Sequence, residues 1–289
     1  MLPQLRVYQI VSFLNMTILR LTHISDERLE VYASLTNHQL RNSLDPRRGV
    51  LIAESEIVVR VAIGHGIEPI SMLLDERKVP SMSDVVDGLP PHVPVFVLPE
   101  EEMRKLTGYK VTRGVLCAMR RPARPSLAEL LEDARNVVVL EGMTDTSNVG
   151  AIFRNAAALG ADAVVVAPNC ADPLSRRAVR VSMGNVFLVP WARAERPWPE
   201  TCLEQLAARG VTCVALALQP GALELDDPML KRGDRRALFF GAEGTGLDRK
   251  TIEACDMTAI IPMSHGVDSL NVAASSAVAM WELFAKTGR

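Results

Sequence analysis

From residue 136 onward the chain alternates short, wholly apolar runs with stretches of helical composition. That rhythm restricts the fold more than any other feature. NVVVLE (136–141), DAVVVA (162–167), NVFLVP (185–190), VTCVALA (211–217), ALFFGAE (237–243) and TAIIPM (258–263) read as six strands. A strand with one wet face alternates apolar and polar residues; these do not, so both of their faces must be covered. Helical stretches separate them: the segment after Asn148, SRRAVRVSM, PETCLEQLAARG, DRKTIEAC and the terminal SLNVAASSAVAMWELFAK. The pattern predicts an α/β domain with a mainly parallel sheet and helices on both faces. Ligands of such sheets bind beyond the carboxyl ends of the strands, so the strand-to-helix loops are where chemistry is expected.

Ahead of this domain, RRPARPSLAELLEDA (120–134) begins with arginines and prolines and turns into a short amphipathic helix, which reads as a linker. Residues 20–119 show a second alternation. GVLIAES (49–55), SMLLDE (71–76), VPVFVLP (93–99) and GVLCAMR (114–120) read as strands, with helices at DERLEVYASLTNHQL (26–40) and IVVRVAIGHG (57–66). A smaller α/β domain is expected there, with residues 1–19 as an extension. Tyr8, Gln9, Ser12 and Asn15 interrupt the apolar residues of that extension, which is too short and too polar to span a bilayer. Met16 begins a plausible domain start, and residues 1–15 are expected to carry little structure.

A formal net charge of −2 does not by itself announce a nucleic-acid binder, so local clusters carry that question. The five cysteines are scattered and lack CxxC spacing, which predicts reduced, buried thiols in a cytoplasmic protein. The five histidines show no ligand spacing, and no metal is expected.

Three loops exceed what packing demands. In TDTSNVGAIFRNAAALGAD (144–162), Val149, Ile152, Phe153, Ala156 and Ala157 form the apolar stripe of a helix, with Asn148 in its first turn and Arg154 off the stripe. Asn148 as a helix cap and Arg154 as a solvated charge would satisfy this segment equally well. GAEGTGL (241–247) joins a strand to a helix with three glycines, which allow a sharp turn and close approach to a ligand. Its glycine order is neither the dinucleotide fingerprint nor a phosphate loop, and a bare turn has no need of Glu243. In IPMSHGVDSLNVAASSAVAM (261–280) a strand gives way to a polar loop, and Ser269 reads as the start of a helix. The small residues at 273–277 imply that backbone or a flat ligand packs close to that helix.

Together and in this order, the loops resemble the SpoU/TrmH family of SPOUT-type RNA ribose 2′-O-methyltransferases over essentially all of 136–289. The family's first motif stands at Asn148 to Arg154, its second at Gly241 to Leu247, and its third at Ile261 to Met263 with Ser269 to Val272. The segment 173–190 also resembles the family.

The resemblance implies a domain at 135–289 with a C-terminal trefoil knot, an exception to the rule that chains avoid knots. It implies S-adenosylmethionine held by Gly241, Gly244, Gly246, Ile261, Met263 and Leu270, with Leu216, Ala217, Leu218 and Gln219 as further contacts. Arg154 stands at the family's catalytic position, either as a perturbed base or as a cation for phosphate and developing alkoxide. Asn148, Glu243, Ser269 and Asn271 would orient the site. The resemblance further implies a homodimer in which the arginine of one protomer serves the cofactor of the other, with the 269–288 helix in the interface. It gives the 20–119 region the role of a ribosomal-protein-like, RNA substrate-binding domain. Arg41, Arg47, Arg48 and Arg113 of that region, with Arg120, Arg121, Arg176, Arg177 and Arg180 beyond it, are the candidate contacts to RNA phosphate. The separate first domain favours rRNA, of 23S type, over tRNA. A nucleotide-binding α/β protein and a non-catalytic RNA-binding module are the readings from other classes.

Overall fold

A computed structural model of the chain describes residues 10–13, 16–33, 49–106 and 114–285. It divides into two compact units. The first comprises the described residues up to Ala123 together with Leu174–Arg180, and the second Arg124–Pro173 with Val181 onward. The chain passes from one to the other at Ala123–Arg124, in the segment 120–134 read as a linker, while Leu174–Arg180, read as part of the 135–289 domain, groups with the first unit. Of that linker, Leu127–Leu131 is a helix closed by a capping box, in which Ser126 accepts from the Glu129 N–H and the Glu129 carboxylate accepts from the Ser126 N–H.

The first unit is built on a six-stranded mixed sheet. Its strands are β1 (Ile10–Phe13), β2 (Met16–Arg20), β3 (Val50–Glu54), β4 (Pro69–Asp75), β5 (Val95–Leu98) and β6 (Val115–Arg120). Their order is β1-β2-β5-β4-β6-β3, with β2, β5 and β4 parallel and β6 antiparallel to β4 and β3. β1 pairs with β2 in the sheet, so part of the segment expected to be unstructured is a strand. The expected helix 26–40 is described only as far as Ala33, as a 3₁₀ turn followed by Glu30–Ala33; Leu35 lies outside the described residues. Leu29, Tyr32, Leu73, Phe96 and Leu116 form the core, and Tyr32 Oη shares a 2.7 Å hydrogen bond with Ser71 Oγ.

The second unit carries the seven-stranded sheet. Its strands are β7 (Asn136–Leu140), β8 (Ala163–Val166), β9 (Trp191–Arg193), β10 (Thr212–Leu216), β11 (Leu223–Glu224), β12 (Arg236–Phe240) and β13 (Met257–Ile260). They lie in the order β11-β13-β10-β12-β7-β8-β9, and every neighbouring pair is parallel. One face packs Val137, Val139, Val165, Ala215 and Phe239 against Leu130, Cys202 and Leu206 of the flanking helices. On the other lie Thr146–Leu159 and Val272–Met280, two helices that pack on each other. Phe153 from the first of these meets Trp191 of β9 edge to face at 6.0 Å.

One expected strand is displaced. NVFLVP forms a 3₁₀ turn at Asn185–Phe187, entered through Gly184 in the left-handed conformation, and the strand begins at Trp191. A short apolar run buries itself equally well as turn or strand, so its composition does not separate the two.

All five cysteines are free thiols. Burial pushes the Cys117 thiol up to about 12, and burial with Asp256 nearby does the same for Cys213. Both are therefore neutral at pH 8, and iodoacetamide at that pH should alkylate neither until urea unfolds the chain. Phe153→Ala removes a fully buried ring and should cost about 3–5 kcal/mol, read from the urea midpoint.

Candidate active site

The loops that follow β7, β12 and β13 meet at one edge of the parallel sheet, because those strands, with β10, are neighbours in it. Each loop departs in a physically informative way from its reading in the sequence.

After β7 the helix Thr146–Leu159 is capped by Asp145, whose side chain accepts from the Ser147 N–H at 2.7 Å. Asn148 is thus released from capping and is 7% exposed inside the first turn. Its Nδ2 donates to Glu243 Oε2 at 2.9 Å, and its Oδ1 accepts from Asn271 Nδ2 at 3.2 Å. Asn271 Nδ2 also approaches Glu243 Oε1 at 3.4 Å. One residue from each of the three motifs therefore joins a single polar cluster, formed across sequence separations of 28 to 123 residues. Glu243 is unexpected in a bare turn and explained by this: it is the acceptor that gathers the two asparagine amides.

The GAEGTGL loop folds back on itself. Ala242 and Gly246 exchange backbone hydrogen bonds of 3.1 and 2.9 Å, with Gly244 and Gly246 at φ of 93° and 72°. A Cβ at Gly241 would stand 2.1 Å from the Gly246 carbonyl carbon and 2.2 Å from the Leu247 nitrogen. The close approach expected at this glycine is made by the loop's own backbone.

After β13, the helix begins at Val272, and Asn271 is its cap, accepting from the Ala273 N–H at 3.0 Å. Ser269, expected to start that helix, lies two residues earlier in an exposed loop. Asn271 outcompetes it because the same side chain caps with its oxygen and joins the cluster with its nitrogen. The small residues at 273–277 pack against a helix, where Asn155 Nδ2 donates to the Ala273 carbonyl at 2.7 Å and to Ser276 Oγ at 3.0 Å, and Ser275 among them lines a cavity. The sequence reading passed over Asn155. Its signal was a polar residue seven positions after Asn148, hence on the same helix face.

Leu216, Ala217, Leu218, Gln219, Gly241, Gly244, Gly246, Ile261, Met263 and Leu270, the residues that the resemblance gives to the cofactor, all line one cavity of about 510 Å³. Glu243 and Ser269 line it as well. Among the described lining residues Glu243 and Asp268 carry charge and none is basic. Arg154 is exposed on its helix and does not line the cavity. Among the described residues no group of three or more His, Cys, Asp or Glu is placed to hold a metal ion.

The candidate phosphate contacts fare differently. Arg41, Arg47, Arg48 and Arg113 lie outside the described residues. Arg120 pairs with Glu68 at 3.0 Å at the surface, and Arg121 is half-buried. Arg176 and Arg180 face the buried carboxylate of Glu54 at 2.9 and 3.4 Å, within the first unit. Their charge answers a carboxylate that would otherwise be buried alone, a structural role that the run of basic residues did not disclose. Arg177 is exposed.

Residues 135–281 match the model of the SpoU rRNA Methylase family. The chain belongs to that family. As a member it is an RNA methyltransferase, and the cavity is placed where the family's three motifs converge. Over 258 residues it is 40% identical to an uncharacterized tRNA/rRNA methyltransferase of Mycobacterium bovis, covering 89% of this chain and 88% of that one. It is 28% identical to the 23S rRNA (guanosine(2553)-2′-O)-methyltransferase of Bacillus subtilis, covering 82% of this chain and 89% of the other. The fold is similar to that of the AdoMet-bound rRNA methyltransferase from Sinorhizobium meliloti, with a TM-score of 0.76 at 24% identity, over 92% of this chain and 97% of that one.

The geometry at Gly241 yields a sharp expectation. Gly241→Ala places a methyl group inside the Gly246–Leu247 backbone, so the loop must open. Titration calorimetry should then detect no S-adenosylmethionine binding by a variant that keeps the wild-type far-UV circular dichroism.

Proposed function

We propose that this chain transfers the methyl group of S-adenosylmethionine to a ribose 2′-hydroxyl of ribosomal RNA. One observation carries the reading above the others. The residues that the family resemblance gives to the cofactor, drawn from three separate loops, line a single cavity beside the Asn148–Glu243–Asn271 cluster.

The cavity suits the cofactor in size and in chemistry. About 510 Å³ lies within the range of small-molecule sites, roughly 300–1,000 Å³. Leu216, Leu218 and Ile261 offer apolar walls to a purine. Glu243 and Asp268 offer negative charge to a cationic ligand. Bound there, S-adenosylmethionine supplies an activated methyl group on a sulfonium.

The 2′-oxygen forms its bond to the methyl carbon as the carbon–sulfur bond breaks, and the hydroxyl proton leaves to water. A ribose hydroxyl is a weak nucleophile at neutral pH, so the site must stabilise the charge that develops on its oxygen. The described cavity lining holds two carboxylates and no cation, and the cation we assign is Arg154. A guanidinium, with a pKa above ~12, remains charged and holds alkoxide and phosphate together. Arg154 lies exposed outside the cavity of its own chain, which supports its serving the cavity of a second copy in a homodimer. In this reading the Val272–Met280 helix, with Val278 exposed on it and Trp281 exposed directly after it, forms part of the dimer contact, and the 261–271 loop belongs to a C-terminal trefoil knot. The 20–119 region grips the RNA, with exposed Arg177 among the contacts to phosphate. An rRNA substrate places the reaction in the cytoplasm.

Two experiments test this. Arg154→Ala should lower methyl transfer at least about 100-fold, the scale of losing one transition-state partner, with S-adenosylmethionine affinity unchanged. Co-expressed with the Gly241→Ala chain, it should regain activity, because one mixed dimer then holds an intact cavity facing an intact arginine. Absence of that recovery in a proven mixed dimer rules out service in trans. Mapping 2′-O-methylation in RNA from cells with and without the protein identifies the nucleotide, and a site lost from tRNA in place of rRNA would overturn the substrate.

A further inference from the structure

Beyond the residues of the three motifs, one buried carboxylate stands behind the cavity. Glu141 directly follows β7, is 1% exposed, and donates its N–H to the Phe240 carbonyl at 2.9 Å, at the point where β12 enters the glycine loop. Its Oε1 accepts from the Asp248 N–H at 2.6 Å. Its Oε2 accepts from Thr251 Oγ1 and from Trp198 Nε1, each at 2.6 Å. A carboxylate out of water needs such donors, and three short ones meet that need.

The arrangement of those donors is what suggests a function. The glycine loop leaves β12 at Gly241 and returns at Leu247. Glu141 touches the residue before the first of these and the residue after the second, through its own backbone and through its side chain. Thr251, one turn further on, adds a second hold on the returning chain. We infer that Glu141 is a positioning residue for S-adenosylmethionine. Through Asp248 and Thr251 it clamps the exit of the Gly241–Leu247 loop, so that the cavity wall is formed before the ligand arrives. A preformed wall spares the ligand the cost of ordering the loop, so the clamp acts on binding and not on the transfer step.

This inference rests on the proposed function, and one measurement separates the two. Wild-type protein that binds no S-adenosylmethionine in titration calorimetry refutes the function itself. Given binding by the wild type, Glu141→Gln should weaken S-adenosylmethionine affinity at least about tenfold. The KM for the ligand should rise with it, while kcat at saturation stays within about threefold. An equal Kd in a folded Glu141→Gln chain overturns the inference. The neighbours supply a second comparison, independent of whether that variant folds. Thr251→Val and Trp198→Phe each remove one donor from the same carboxylate oxygen, but only Thr251 belongs to the returning chain. Thr251→Val should weaken binding about threefold or more and Trp198→Phe less than twofold. Equal effects of the two on Kd would reduce Glu141 to a general contributor to stability and sink the proposal.

Discussion

A parallel sheet whose strands are apolar on both faces has no room for polar chemistry except where the strands end, and the second unit is organised by that constraint. Its backbone hydrogen bonds are satisfied strand to strand, and its faces are sealed by helices. The loops beyond β7, β12 and β13 are therefore brought together by sheet order and not by sequence order. The neighbours β13-β10-β12-β7 draw on chain segments more than a hundred residues apart. The cavity is a consequence of this order.

Two carboxylates then give the loops a fixed shape. Glu243 faces the cavity and gathers the amides of Asn148 and Asn271, so each of the three loops is tied to the others by a side chain. Glu141 lies behind the sheet edge and holds the chain on either side of the glycine loop. Between them, Gly241 has backbone where other residues carry a Cβ. The C-terminal helix is secured at both ends. Asn155 holds its first turn, and the buried Arg236 donates to the Leu283 carbonyl at 2.5 Å at the far end. Loops tied in this way give the cavity walls held from both sides, the kind of frame that an in-line displacement demands.

Much of this was legible in the residues. Five of the six strands read in the second unit stand close to where uninterrupted apolar runs placed them, since full burial leaves few alternatives to such runs. NVFLVP misled because four apolar residues between an asparagine and a proline satisfy a turn as readily as a strand. β11, only two residues long, carries no periodicity to read. In the site, Asn148, Glu243 and Asn271 stood out as polar residues in places that packing left unexplained. Glu141 and Asn155 did not. Glu141 is the last letter of a strand run, and a carboxylate at a strand end ordinarily faces water. Asn155 is a single amide within an amphipathic helix. Arg176 and Arg180 show the same limit from the other side: a run of basic residues announces charge, but the buried Glu54 that consumes it is more than a hundred residues away.

The sequence by itself determined the class of fold, the loops that packing leaves unexplained and the family to which they belong. Those properties are written in local periodicity and in motifs of adjacent residues. Only the tertiary structure decided which side chain caps, which one is buried and which one reaches across. Asn148 is a cluster member because Asp145 took the cap. Gly241 is required by the Gly246–Leu247 backbone. Arg154 stands outside the cavity of its own chain. Each of these depends on what a distant segment brings to within a few ångströms, and no local pattern records that distance.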